Sequence, residues 1–289
     1  MKKTKTLILI MLSILILGLG LASCSGSGQS GDSKDKVKLI GISLTDEEYA
    51  FGVDKNQPEL LVKVNDFIRQ ISTDGTLDEI FDIYFAGGSP SAVESAKADP
   101  SKDQLLVATN ASFEPFEYML GEQYYGIDLE IAALLADHLG KELVILNMDF
   151  DAVVLSVGQG KADIAMAGLT INESRKESVD FSDKYYDASQ KLIVMSDDTL
   201  FDDCTSVDEV EELLKGMSAK TKIGVQTGTT GQFYLEGDAD WGFDGYDVET
   251  VGYKAGSLAV QDMINGNISY VVIDEAPAMF IVESINKLG

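Results

Sequence analysis

Asp163-Ile-Ala-Met-Ala-Gly-Leu-Thr-Ile-Asn-Glu-Ser-Arg175 decides how this chain is read. The apolar run within Ala162–Ala167 predicts a buried strand, and Gly168 ends it. Asn172 has the form of an N-cap, opening a helix that runs through Arg175 to Val179. Arg175 then sits in a helix's first turn, where N–H groups lack partners and the dipole end is positive. A cation there does little for stability, but it suits a site that receives an anion. The chain has two arginines against twenty lysines, so the choice of Arg is selective. A surface ion pair with Glu173 or Asp180 is the plain alternative. The favoured reading is a carboxylate or other small-anion site.

From Gln104 onward, strands and helices alternate as in α/β folds. Strands are expected at Leu105–Thr109, Glu142–Asn147 and Lys191–Met195, with helices at Ile127–Leu139 and Asp151–Val157. A second series follows: helix Val207–Lys215, strand Lys222–Gln226, helix Leu258–Asn265, strand Ser269–Ile273 and helix Ala276–Asn286. The two series echo one another. Gly168 lies eight residues past Gly160 and Asp274 eight past Gly266, each after a helix end and a strand. Two similar α/β lobes result, with loops at strand C-terminal ends, where open α/β sheets bind ligands.

Upstream, Val37–Ile42 and Tyr49–Val53 are strand candidates. Gln57–Ser72 is an amphipathic helix with Pro58 at its start and Asp74-Gly75 at its end, and Thr76 opens a shorter one. Ala86–Lys102 holds two of the five prolines and almost no large apolar residue, which reads as a linker.

Placed on facing lobes, Arg175 and Asp274 form a clamp for a zwitterion. Arg175 holds a carboxylate, assisted by N–H groups near Leu169 and Thr170. Asp274 ends an apolar strand, where a carboxylate needs a cationic or hydrogen-bonding partner. An ammonium group supplies one; capping of the following helix is the alternative. Phe113, Phe116, Tyr118 and Phe150 cluster on the facing loops, and with Asn110 they resemble a lid over an aliphatic stem.

The net charge of −26 argues against a nucleic-acid partner. Met1–Ser23 has three early lysines and an apolar core over Thr6–Leu17, the form of a targeting segment. Leu21-Ala22-Ser23-Cys24 resembles a bacterial lipobox, which implies lipidation of Cys24, and residues 25–36 form a polar tether. With Cys24 lipidated, Cys204 has no intramolecular disulfide partner. No motif calls for a metal, a cofactor or catalytic residues.

Several motifs in order resemble the extracellular solute-binding proteins of ABC importers that take polar amino acids. They include Val107-Ala-Thr-Asn-Ala-Ser-Phe-Glu-Pro-Phe-Glu-Tyr118, Gly126-Ile-Asp-Leu-Glu130, Met148-Asp-Phe-Asp-Ala152 and Ala165–Arg175. Val179–Tyr186, Ile223–Gly231 and Val272-Ile-Asp-Glu-Ala-Pro277 complete the set. The resemblance implies a two-lobe periplasmic-binding-protein-like fold of type II. It makes Arg175 the carboxylate-binding arginine with Gly168 and Thr170 beside it, and Asp274 the ammonium acceptor. Thr230 becomes a contact on the second lobe, Phe113 and Phe150 the aromatics enclosing the ligand, and Asn110 the reader of its side chain. Asn110 stands where Asp is frequent, and Gln226 where some glutamine binders carry Lys, so the resemblance leaves the amino acid open.

The order of pieces departs from the family. Lys38–Val53, the Pro58 helix and Asp74–Phe85 look like the family's C-terminal end, so the expectation is a circular permutant. Lobe 1 is then 47–85 plus 103–193, lobe 2 is 37–46 plus 196–289, and 86–102 is the permutation linker. The expected function is capture of a polar L-amino acid by a monomer held to the membrane by its lipid, with delivery to an ABC permease. A sensing receptor module and a dehydratase-like enzyme on the same scaffold are the rivals.

Overall fold

Two five-stranded sheets of matching design organise residues 35–288, the part of the chain that the computed structural model describes. The targeting segment, Cys24 and most of the tether lie outside the described residues. In the first sheet the order is β8 (Glu142–Asn147), β4 (Gln104–Thr109), β9 (Ile164–Ala165), β3 (Gly52–Asp54) and β10 (Val179–Phe181). In the second it is β14 (Glu249–Tyr253), β13 (Lys222–Gln226), β15 (Tyr270–Asp274), β12 (Gln190–Met195) and β1 (Val37–Leu39). Each sheet has three parallel strands followed by two antiparallel ones. The sequence echo is therefore also an echo in topology. Between the sheets, β2 (Glu47–Tyr49) pairs antiparallel with β11 (Tyr186–Ala188).

Residues 37–54 supply a strand to each sheet and one to the connecting pair. β1 lies on β12 in register Val37↔Met195, and β3 is inserted between β9 and β10. Both five-stranded arrangements thus use a segment far from the rest in sequence. Its helix α1 (Pro58–Asp74) buries Leu60, Val64, Phe67, Ile68 and Ile71, the i, i+3, i+4 set of one helical face. Pro58 is at its first turn, and Gly75 ends it at φ 90, a left-handed position that glycine adopts without strain. Full burial of each such side chain contributes roughly 1.5–3 kcal/mol, so truncating Phe67 to alanine costs about 3–5 kcal/mol. α2 (Thr76–Phe85) then packs on α3 (Ile127–Leu139), where the Tyr84 hydroxyl donates to Glu130 at 2.6 Å.

Some expectations change with the tertiary structure. The helix expected from Asn172 to Val179 is a single turn, α5 (Glu173–Lys176). Val179 instead opens β10, fully buried and opposite Asp54 of β3. That pairing gives a β-branched residue a ladder position that local sequence does not reveal. Tyr49–Val53 is not one strand: Ala50 and Phe51 separate β2 from β3, and the Ala50 N–H bonds the Leu169 carbonyl. The 86–102 stretch has no helix but is pinned to the first sheet's edge. Its Val93 bridges Tyr124, and the Ser95 hydroxyl accepts from the Ile145 N–H.

Candidate functional site

Asn172 caps α5, its Oδ1 accepting the Arg175 N–H at 2.6 Å. This directs the Arg175 side chain between the two sheets. Its Nη1 donates to the Thr170 carbonyl at 2.7 Å and its Nη2 to the Gly228 carbonyl at 3.0 Å. The guanidinium carbon lies 5.4 Å from the Phe150 ring centre, within cation–π range. Arg175 is buried and forms no salt bridge among the described residues, so neither Glu173 nor Asp180 holds it. Lys176 takes Glu173, and Lys55 stands by Asp180. Burial pulls the guanidinium below its usual pKa, with the charges of Glu47 and Asp274 acting in the opposite direction. A guanidinium remains charged through the physiological range. A buried cation bonded to carbonyls alone has no anion in salt-bridge contact, an arrangement that suits an anionic ligand.

Facing it, Asp274 ends β15 and is 3% exposed. Its carboxylate accepts the Tyr49 hydroxyl at 2.5 Å. Burial, followed by the charge of Glu47, pushes it up to about 7. Glu47 is buried too, and accepts from Thr45, Thr170 and Gln190 at 2.6, 2.7 and 3.0 Å. Thr170 and Thr230 face one another with their hydroxyl oxygens 3.3 Å apart.

The remaining expected residues gather around this pair. Gly168 has φ +54, and a Cβ there would come 2.9 Å from the Phe113 ring and 3.3 Å from the Tyr49 ring. Only glycine lets both rings lie against this backbone. The Gly168 N–H bonds Asp128 at 2.9 Å, and Leu169 is fully buried behind it. Asn110 is fixed by its Nδ2 on the Met148 carbonyl at 2.7 Å, and its Oδ1 receives Gln226 Nε2 at 2.9 Å. Phe116 and Tyr118 belong elsewhere than the lid expected of them. Phe116 is a core ring packed edge-on against Tyr49 at 5.1 Å, and Tyr118 stacks on Tyr125.

Arg175–Gly228, Thr170–Thr230, Asn110–Gln226 and the exposed Lys254–Asp149 pair at 2.8 Å therefore connect loops of the first sheet to loops of the second. The arrangement is two jaws in contact, one ending in a cation and one in a carboxylate. Residues 105–270 match the bacterial extracellular solute-binding proteins, family 3. The chain belongs to that family.

Among its relatives is the arginine-binding extracellular protein of Bacillus subtilis strain 168, 32% identical over 149 residues and 52% of either chain. A probable histidine-binding protein of Neisseria gonorrhoeae is 28% identical over 66% of this chain and 65% of its own. The chain spans about half to two-thirds of the length of these curated relatives. Among solved structures, the arginine-bound form of truncated ArgBP from T. maritima aligns with TM-score 0.53 and 31% identity, over 63% of this chain and 78% of that one. The ancestral amino acid-binding protein AncCDT-1, a precursor of cyclohexadienyl dehydratase, aligns with TM-score 0.53 and 26% identity, over 72% and 78%. The two-lobe, periplasmic-binding-protein type of fold is thereby established for this solute-binding protein.

Sequence reasoning did not single out Glu47, Tyr49, Gln190, Glu117 or Asp128 in this site. Glu47 and Tyr49 reach it through the pairing of β2 with β11, which no local pattern announces. Glu117 and Asp128 lie inside quoted motifs, and a carboxylate in an otherwise apolar or aromatic stretch was the available signal.

Proposed function

We propose that this solute-binding protein captures a polar amino acid between its lobes and passes it to the permease of an ABC importer. The observation that carries this reading is Arg175: buried, charged and held only by main-chain carbonyls, opposite a buried Asp274. An α-carboxylate would complete Arg175, and an α-ammonium would complete Asp274. The relatives named for arginine and histidine support an amino acid as cargo. Gly168, Leu169, Thr170, Phe113, Phe150, Asn110, Gln226 and Thr230 would line the ligand. Its capture would exclude water and strengthen every charge contact in the closed site. Lipidation of Cys24 would hold the protein at the outer face of the membrane as a monomer on a flexible tether.

The same reading includes a circular permutation, with Gly289 to Val37 as the family's usual continuity and 86–102 as the joint. Support comes from β1 and β3, which complete the second and first sheets from a segment ahead of both. A chain reopened within 86–102, with Gly289 fused to Val37, is expected to fold and keep its ligand affinity. An insoluble or non-binding product would count against the permutation.

The function is tested by melting the protein in the presence of each common amino acid. A ligand that binds only the native state raises the melting temperature. A panel that leaves the melt unmoved would refute amino-acid capture.

A further inference from the structure

Between the helix Thr230–Glu236 and β14 runs a loop, residues 237–248, that the clamp does not use. Its fold is specified locally. Gly237 and Gly245 both have positive φ, and a Cβ on Gly245 would come 2.7 Å from the Glu236 carbonyl, so glycine is required at this neck. Beyond the neck, Asp238 and Phe243 exchange both main-chain hydrogen bonds at 2.9 Å. Asp238 Oδ1 also accepts the N–H groups of Asp240 and Trp241, at 2.9 and 3.2 Å. Such side-chain bonds to nearby main chain set the shape of a turn, here the tip that carries Trp241.

Aromatic packing ties this tip to the site. The Trp241 ring stacks on Phe243 with centres 5.6 Å apart, and Phe243 meets Tyr234 edge-on at 5.3 Å. Tyr234 is buried in the helix whose first residue is Thr230, the partner of Thr170 from the first sheet's side. Trp241 and Thr230 therefore belong to one packed unit on the second sheet's side.

A cavity of 410 Å³ flanks the connecting pair of strands. It is lined by residues 46–48 in and beside β2, Thr170, Ile171, residues 187–188 of β11 and Trp241. Among the described residues lining it, Trp241 alone comes from beyond residue 188. Asp46, Glu48 and Asp187 are exposed and Trp241 half-buried, whereas Glu47 and Thr170 are buried. The cavity thus runs from a solvent-facing rim to a floor made of the Thr170 hydroxyl on Glu47 at 2.7 Å. The carbonyl of the same Thr170 accepts Arg175. One layer of side chains separates this flank from the clamp.

We propose that Trp241 is the gate of this flank opening, and that it governs how fast a captured amino acid exchanges rather than how tightly it is held. This rests on the clamp of Arg175 and Asp274. Local opening of the Glu47–Thr170 floor exposes the site to the cavity, and the indole narrows the way out. A Trp ring covers a large area with two rotatable bonds, so it obstructs a passage without touching the clamp. An obstruction slows entry and exit alike and leaves their ratio, the Kd, unchanged.

A chase experiment on the whole protein tests this. Each common L-amino acid is offered singly in the melting screen. A radiolabelled form of the one that raises the melting temperature most is then bound and chased with an unlabelled excess. Trp241→Ala is expected to release the label on the order of tenfold faster than wild type, with Kd within about threefold. Trp241→Phe, which keeps a ring at the tip, should release it within about threefold of the wild-type rate. Release from Trp241→Ala at the wild-type rate overturns the gate and leaves the clamp standing. A rise in Kd equal to the rise in release rate also overturns it, because Trp241 would then stabilise the bound state itself. A wild type that no amino acid stabilises overturns clamp and gate together.

Discussion

Replacing Arg175 by alanine separates the site from the scaffold. In the closed structure the guanidinium makes two charge-assisted bonds, to the Thr170 and Gly228 carbonyls. Hydrogen bonds to charged groups contribute about 1.5–3 kcal/mol each. Against this stands the desolvation of an Arg that has no anionic partner. The two effects largely offset, so the ligand-free variant should differ from wild type by no more than about 2 kcal/mol, or several degrees in melting temperature for a protein of this size. With an amino acid in the proposed clamp the balance would change, because Arg175 would then have a carboxylate partner. Removing one member of a buried, hydrogen-bonded charge pair costs about 3–5 kcal/mol, which is roughly 150- to 5,000-fold in Kd. Titration calorimetry at fixed pH and salt, with the ligand found by the melting screen, reads this directly. Circular dichroism of the same sample reports the fold. A folded Arg175→Ala whose Kd lies within threefold of wild type would falsify the assignment of the carboxylate to Arg175.

Tyr49→Phe removes the hydroxyl that holds Asp274 and should weaken binding about tenfold, in line with a lost hydrogen bond to a charged group; titration showing no loss would mean Asp274 is oriented by other groups. The ligand-free protein and its complex should respond oppositely to pH. Asp274 and Asp128 are both pushed up to about 7 by burial, so their contribution to stability is fully present below the unfolded carboxylate range and is lost as pH rises through 7. Melting of the ligand-free protein should therefore fall from about pH 4 to about pH 7 and level off above it, while affinity for the ammonium group rises as Asp274 ionises; a melting temperature that climbs between those values would contradict this. Lys254→Ala breaks an ion pair that is exposed at both ends, and such pairs contribute little, so Kd should stay within about threefold at physiological salt.

Much of the site was legible locally. Asn172, Gly168 and Arg175 are read from one stretch, because capping, a left-handed glycine and a helix's first turn are short-range chemistry. Asp274 is likewise visible as a carboxylate at the end of an apolar strand. The amphipathic α1 follows from its own 3.6-residue period, as do the parallel β4 and β8 from unbroken apolar runs. What local pattern left out depends on contacts between distant segments. Val179 looked helical until β3 stood beside it, and the pairing of β2 with β11 brings Glu47 and Tyr49 to the site. Phe116 and Phe113 are alike in sequence, three residues apart and buried in the same core, yet it is the Phe113 ring that lies against Gly168.

Residue types at fixed spacing establish the family and the alternating α/β order, and they single out the two charged residues, Arg175 and Asp274, of the proposed clamp. The tertiary structure alone decided the charge balance between those two residues. Whether Glu117 is solvated or stranded, and whether Arg175 meets a carboxylate or a carbonyl, depends on burial and on hydrogen-bond partners up to 225 residues apart, as with Tyr49 and Asp274. Those are properties of the closed interface between two sheets, where water is excluded and each unpaired group keeps its full cost.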